Sequence, residues 1–266
     1  MLEPLPEVVR PERPAPPYRR ELSDDAAIGW LKAGLADLRA DPVSSIAYGL
    51  GLTLLSYATL WGLYASNLIY LALPAISGFL IIGPFLAVGL YEKSRRRAEG
   101  RGMGLLEMIT FRPVSAAQLA YAGLLMGLLI LFWLRAADLL YALFFGLTPF
   151  PGAGDALSNV FTTFRGWMLI LTGTGVGGLF AAFAFALSAF SVPLLVFGKT
   201  DALTAMGTSF AITTQNLRPM LTWGAIVTVG LGISAVTGLL GLIVVFPVLG
   251  HGTWHAYRAV WPDQEG

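Results

Sequence analysis

The sequence predicts an all-α polytopic membrane bundle: six transmembrane helices arranged as three hairpins, each preceded by a short interfacial amphipathic helix. Three observations predict it. Hydrophobic residues make up 56% of the chain and charged residues 12%, with a mean hydropathy of +0.69, whereas soluble domains carry about 25% charged residues. Apolar runs near the length that crosses about 30 Å of hydrocarbon recur between basic clusters. Asp41-Pro42, Arg112-Pro113 and Arg218-Pro219 each open such a run after a short amphipathic stretch.

Taken in order, residues 1–22 read as a proline-rich tail, with prolines at 4, 6, 11, 14, 16 and 17. Its composition buries too little apolar surface to offset ordering, and no apolar core of a cleavable signal is visible. Residues 23–261 then form a single integral membrane domain. Ser23 is expected to cap a helix over 24–40, with Asp24 and Asp25 in its first turn and Ile28, Leu31, Leu35 and Leu38 on its apolar face, Lys32 and Asp37 lying off that stripe. Pro42 opens the first span, about 43–64. Ala65-Ser66-Asn67 connects it to the second, about 68–91, which stops at Glu92-Lys-Ser-Arg-Arg-Arg97.

A second amphipathic stretch over 98–112 carries Leu105, Leu106, Ile109 and Phe111. The third span, about 115–146, is long enough to tilt or project. A loop with Pro149, Pro151, Gly152 and Gly154 leads to the fourth, about 166–197, whose Gly173, Gly175, Gly177 and Gly178 suit close helix approach. Asp201 caps a third amphipathic helix with Leu203, Met206, Phe210 and Leu217 on one face. The last hairpin, about 219–237 and 239–258, turns at Gly238 and Gly241. Within it Pro247 should kink its helix by freeing the Ile243 carbonyl.

The three runs also exit alike, through Pro84, Pro193 and Pro247, which suggests an internal repeat of three hairpins with insertions. Six spans place fifteen of the seventeen basic residues on one side, leaving Arg165 opposite and Arg135 within a span. By the positive-inside rule both termini are then cytoplasmic. A five-span topology, with Arg258 outside, is the alternative.

Candidate chemistry is sparse. His251 and His255 stand at i,i+4, which puts two imidazoles on one helical face as metal or haem ligation requires. Aligning Pro84 with Pro247 sets Glu92 opposite His255 and makes it the candidate third ligand. Without HExxH or another hydrolytic pattern, the competing reading is two interfacial histidines beside Trp254 and Tyr257. Arg135 and Asp138, at i,i+3, are the one ion pair inside a span and fall near its outer end. Lys93, Arg95, Arg96 and Arg97 read as a topology anchor drawn to anionic lipid rather than a nucleic-acid site. Zero cysteines exclude thiolate ligands and cysteine nucleophiles. Gly173-Thr-Gly-Val-Gly-Gly178 matches GxGxxG only superficially, since it lies inside an apolar span.

LRADPVSSIAYGL (38–50), GFLIIGPFLAVGLYEKSRR (78–96) and GLIVVFPVLGHGTWHAYR (241–258) together resemble an uncharacterised bacterial family of predicted multi-pass membrane proteins, over about residues 26–260. That resemblance implies a bacterial inner-membrane location, no assigned activity and no catalytic residues. The expectation is a non-enzymatic accessory or assembly subunit that packs against other membrane proteins or itself, in contact with the lipid bilayer and needing no cofactor. A small-solute transporter or channel is the alternative, with Asn67, Gln118 and Asn159 as its few polar groups. A haem- or metal-handling protein, through His251 and His255, is the second alternative.

Overall fold

Hydrocarbon offers the backbone no partner, so a chain of this composition must satisfy its peptide groups within helices. In the computed structural model, which describes residues 18–66, 72–146 and 160–261, the regular elements are eleven helices. They are α1 (Ala26–Ala40), α2 (Pro42–Ala65), α3 (Ala72–Leu86), α4 (Val88–Ala98), α5 (Leu105–Thr110) and α6 (Ala116–Phe145). After the second gap come α7 (Phe164–Ser188), α8 (Ser191–Phe197), α9 (Ala202–Gln215), α10 (Leu217–Val236) and α11 (Leu242–Val260). Residues 1–17, most of the loop after α6, Asn67 and Asn159 lie outside the described residues. Tyr18 to Leu22, assigned by composition to the tail, are partly tied down. Tyr18 donates its amide to Gln215, Arg20 donates its amide to Asn216 and its Nε to the Val260 carbonyl, and Tyr18 stacks on Trp261.

Among the described residues, four segments are long and apolar enough to cross a membrane: α2, α6, the continuous stretch from α7 through α8, and α10. The sequence expects six. α3 is described only from Ala72 and ends at Leu86, and α11 carries its polar residues in a second half packed inside the protein. The hairpins are also not equivalent. α6 packs on α7 and α10 on α11, but α2 packs chiefly on α11, and α3 packs on α6 and α7. α11 is the central helix, in contact with α1, α2, α4 and α10.

Local chemistry explains the turns and breaks. α10 ends in a Schellman arrangement: Gly238 has φ +63°, its amide reaches the Ala235 carbonyl, and the Leu239 amide reaches that of Ser234. Between α3 and α4, the Tyr48 hydroxyl donates to the Leu86 carbonyl at 2.7 Å, satisfying a group the break leaves exposed. Between α7 and α8, Ser209 of α9 inserts into the helical ladder. Its hydroxyl donates to the Ala186 carbonyl at 2.7 Å and accepts the Phe190 amide at 3.1 Å, the two groups that would bond each other in an unbroken helix. Pro247 leaves α11 continuous, and the Ile243 carbonyl it frees is covered by Gly49 of α2, where no side chain would fit.

The amphipathic helices are present, but α1 and α9 are rotated so that only one residue of each expected stripe, Leu38 and Met206, is buried. α1 buries Ala27, Trp30, Gly34, Asp37 and Leu38 and leaves Ile28 exposed. α9 buries Ala202, Ala205, Met206, Ser209, Ile212 and Thr213 and exposes Leu203 and Phe210. α5, only six residues long, buries Met108 and exposes Leu106 and Ile109. Small residues on these inward faces let helices approach, beside Trp30, Leu38, Met206 and Ile212, while Ile28, Leu203 and Phe210 face outward, where lipid is as good a partner as protein. Caps follow the same local rules: Asp201 accepts the Thr204 amide as expected, whereas α1 begins at Ala26 with Asp25, not Ser23, at its N-cap and no capping bond. Of Gly173, Gly175, Gly177 and Gly178 in α7, Gly177 admits the Trp133 ring of α6, and the others face open space.

Candidate functional site

Where α1, α2, α4 and α11 meet, the interior is polar. Asp37, Ser44, Ser45, Lys93, Ser94 and His251 are all buried. The helices come close enough because glycines stand at the crossings. A side chain at Gly34 would run into the Val248 carbonyl, and one at Gly49 into that of Ile243. Ser44 and Ser45 enter the first turn of α2 directly behind Pro42, and Lys93 and Ser94 follow the redirection of the chain at Ala87.

The polar groups form one connected chain. Lys93 Nζ donates to Ser44 Oγ (2.6 Å), Ser45 Oγ (2.8 Å) and the Asp41 carbonyl (2.8 Å), and pairs with the Asp41 carboxylate at 3.1 Å. Ser45 Oγ lies 3.0 Å from His251 Nε2, and His251 Nδ1 lies 2.7 Å from Ser94 Oγ. Ser94 donates to Asp37 Oδ2 at 2.7 Å. That same oxygen takes His255 Nε2 at 3.0 Å, and Arg97 Nε meets Oδ1 at 3.0 Å.

Counting hydrogens assigns every direction. An ionised Asp37 only accepts, so the single Ser94 hydrogen goes to it, and Ser94 must accept from His251 Nδ1–H. A neutral His251 then accepts at Nε2 from Ser45, whose oxygen accepts from Lys93. Donors therefore run one way, from the cation Lys93 to the anion Asp37, with His251 held as the Nδ1–H tautomer by this network. Burial pushes the Asp37 carboxyl up, but the hydrogen bonds from His255 and Ser94 outweigh it and hold the group below the ordinary carboxylate value. Burial also lowers Lys93, opposed by its hydrogen bond and charge pairing with Asp41.

The residues singled out from sequence divide. His251 and His255 both join this chain, but through Ser94 and Asp37 rather than a shared ligand. Glu92 is buried elsewhere. Its Oε1 takes Arg95 Nη2 and Arg96 Nε, each at 2.8 Å, and its Oε2 takes Arg95 Nε at 2.8 Å. His255 bonds Asp37, so the pairing of Glu92 with His255 that the proline alignment suggests is not formed. The aligned prolines sit in unlike settings, Pro84 one turn before a break and Pro247 inside a continuous helix. Among the described residues no group of three His, Asp or Glu side chains is placed to hold a metal ion, and both ring nitrogens of His251 are engaged.

The basic run is likewise committed inward: Lys93 to the serines, Arg95 and Arg96 to Glu92, and Arg97 to Asp37. The hydrogen bonds to Glu92, bidentate from Arg95 and single from Arg96, raise both arginines above the ordinary value. Arg135 and Asp138 do pair, at 3.1 Å, on the outward face of α6. Gln118 accepts the Ala202 amide at 3.0 Å.

Sequence reasoning missed Asp37, Asp41, Ser44, Ser45 and Ser94. The available signal was the spacing of Ala27, Trp30, Gly34, Asp37 and Asp41, a stripe of small, aromatic and acidic residues one position off the leucine stripe. Two clefts lie elsewhere. One is lined by Ile82, Phe85, Leu119 and Gly123, the other by Ser56, Thr59, Phe79 and Ser234, and neither includes a member of the polar chain.

The three stretches that carry the family resemblance supply most of this cluster, since Asp41, Ser44 and Ser45, then Lys93 and Ser94, then His251 and His255 fall within them. No curated protein and no solved structure matches the chain. The family match is shorter than the resemblance read from the residues, and of the three stretches only 78–96 lies inside it. From the start of α3 to the last turn of α8, residues 71–196 match the model of a family described as predicted integral membrane protein, DUF2189, a domain of unknown function.

Proposed function

We propose that this integral membrane protein is a non-catalytic accessory or assembly subunit that packs against other membrane proteins. We place it in a bacterial inner membrane, with six spans and both termini cytoplasmic. One observation carries the reading: the polar cluster is closed. Each donor in the chain from Lys93 to Asp37 is met by an acceptor of the same chain, and neither described cleft reaches it. Catalysis and transport need uncommitted groups around a space that a substrate can enter. The cluster instead clasps four helices together at one end of the bundle, which suits a scaffold. Outside it, the most apolar windows of α2, α6 and α10 are only 28%, 11% and 22% buried within the chain, so broad faces are left for lipid and neighbouring helices.

Purification from its native membrane in mild detergent, followed by native mass spectrometry, tests this reading. A defined foreign subunit in constant ratio is the expected result, and a chain that carries no other protein would sink it. A second reading, a small-solute transporter, is favoured by the paired breaks at Ala87 and at Ala189-Phe190, because broken helices in corresponding segments mark transport sites. Uptake by liposomes containing the purified chain alone would favour that reading instead.

A further inference from the structure

The outward face of α6 is a seam rather than a uniform apolar surface. Tyr121, Leu124, Leu128, Leu131, Arg135 and Asp138 are all exposed and recur at intervals of three and four residues, the a and d spacing of a helix that pairs with another. α6 is also the least buried of the membrane-crossing helices. The last two seam positions carry opposite charges, with side chains 83% and 57% exposed. Within one copy the two ions pair with each other at 3.1 Å, yet both side chains stay largely open on the outward face, and such charges on a spanning helix are rare because hydrocarbon solvates them poorly.

We propose that α6 pairs with α6 of a second copy of this chain, forming a parallel two-fold dimer in which Arg135 of each copy bonds Asp138 of the other. Copies of one chain insert with one orientation, so the pairing helices run parallel and the interface is self-complementary. In such a pair the a and d layers stack Leu124, Leu128 and Leu131 on their counterparts. Arg135 then lies one layer, about 4.5 Å along the axis, from the partner copy's Asp138, within reach of a guanidinium. Charge complementarity selects a second copy over lipid, because the seam brings its own counter-ion at the required offset. The proposal is narrower than the accessory reading above and rests on its premise that outward faces meet protein.

The test uses the full chain purified into lipid nanodiscs or liposomes, without other proteins. The chain has no cysteine, so single cysteines at Leu128 and Leu131 report the seam, with Leu221 and Val229, exposed on α10, as controls. Seam positions should cross-link between copies and the controls should not. In Arg135→Asp the α6 pair becomes two acids, and in Asp138→Arg two bases. Each variant alone should lose roughly tenfold of the dimer, the upper range for interhelical polar contacts, whereas the two mixed in one membrane should pair with each other. That rescue is specific to contact between copies, since within each helix both variants carry like charges.

Absence of seam cross-links in the otherwise native chain, or a mixed pair no better than either variant alone, overturns the proposal. The cross-links decide it even if the charge variants fail to insert. Foreign subunits bound to a chain that does not self-associate would overturn the dimer and leave the accessory reading standing. Dimers formed in pure lipid by a chain with no foreign partner would do the reverse.

Discussion

Asp37 turns inward beside the buried Leu38 because three donors meet it: Ser94, His255 and Arg97. A buried carboxylate so placed depends on its partners and they on it, and removing one side of such an arrangement costs about 3–5 kcal/mol. Asp37→Asn should therefore lower stability by about 3 kcal/mol, read as the midpoint of unfolding in mixed micelles, and an unchanged midpoint would show the cluster to be incidental. Two pH effects follow with opposite settings. Asp37 is held below its ordinary value, so its contribution is complete above the unfolded value near 3.8 and is lost as pH falls through the folded one. Lys93 is also lowered, so in the window below the ordinary lysine value of 10.5 the unfolded chain binds more protons than the folded one. Stability should thus rise with pH across that alkaline window, and Lys93→Met should remove the slope.

At the scale of elements, contact between helices is set by missing side chains. Gly49 lies against the Ile243 carbonyl that Pro247 frees, and Gly34 against the Val248 carbonyl. A backbone carbonyl cannot rotate aside as a flexible side chain can, so Gly49→Ala or Gly34→Ala must push α11 away from α2 or α1. Either should cost several kcal/mol and loosen the clasp, seen as faster hydrogen exchange at the buried end of α11. Gly29 and Gly51, in the same two helices, face open space. Alanine there should be neutral or stabilising by up to about 1 kcal/mol through helix propensity. If all four substitutions behave alike, close packing is not what these glycines provide. Ser209→Ala offers a second check on the α7–α8 break. The loss of one hydroxyl leaves the Ala186 carbonyl and Phe190 amide to re-form a helical bond, so the break should straighten.

At the scale of the whole molecule, the inward commitment of Arg95, Arg96 and Arg97 leaves the charge asymmetry of the chain intact, and that asymmetry governs insertion. Cysteines placed at Glu99 and Arg258, both exposed or half-exposed, should be labelled by an impermeant maleimide from the same side of intact cells or vesicles. Labelling from opposite sides would rule out the proposed six spans and favour five.

Helices, their approximate ends and the membrane class were legible in the sequence because each rests on local physics. A proline in the first turn, a glycine past the last and twenty apolar residues in a row act on their own neighbourhoods, and Pro42, Gly146, Gly238 and Asp201 stand where those rules put them. Which face of each helix turns inward was not legible, since in lipid an exposed leucine costs nothing and the hydrophobic stripe ceases to mark the core. The polar chain was hidden for a different reason: its members bond partners between 48 and 218 residues away. Tertiary structure alone decided that His255 bonds Asp37 directly, that His251 reaches it through Ser94, and that Glu92 takes Arg95 and Arg96, because only packing shows which donors a buried carboxylate can reach.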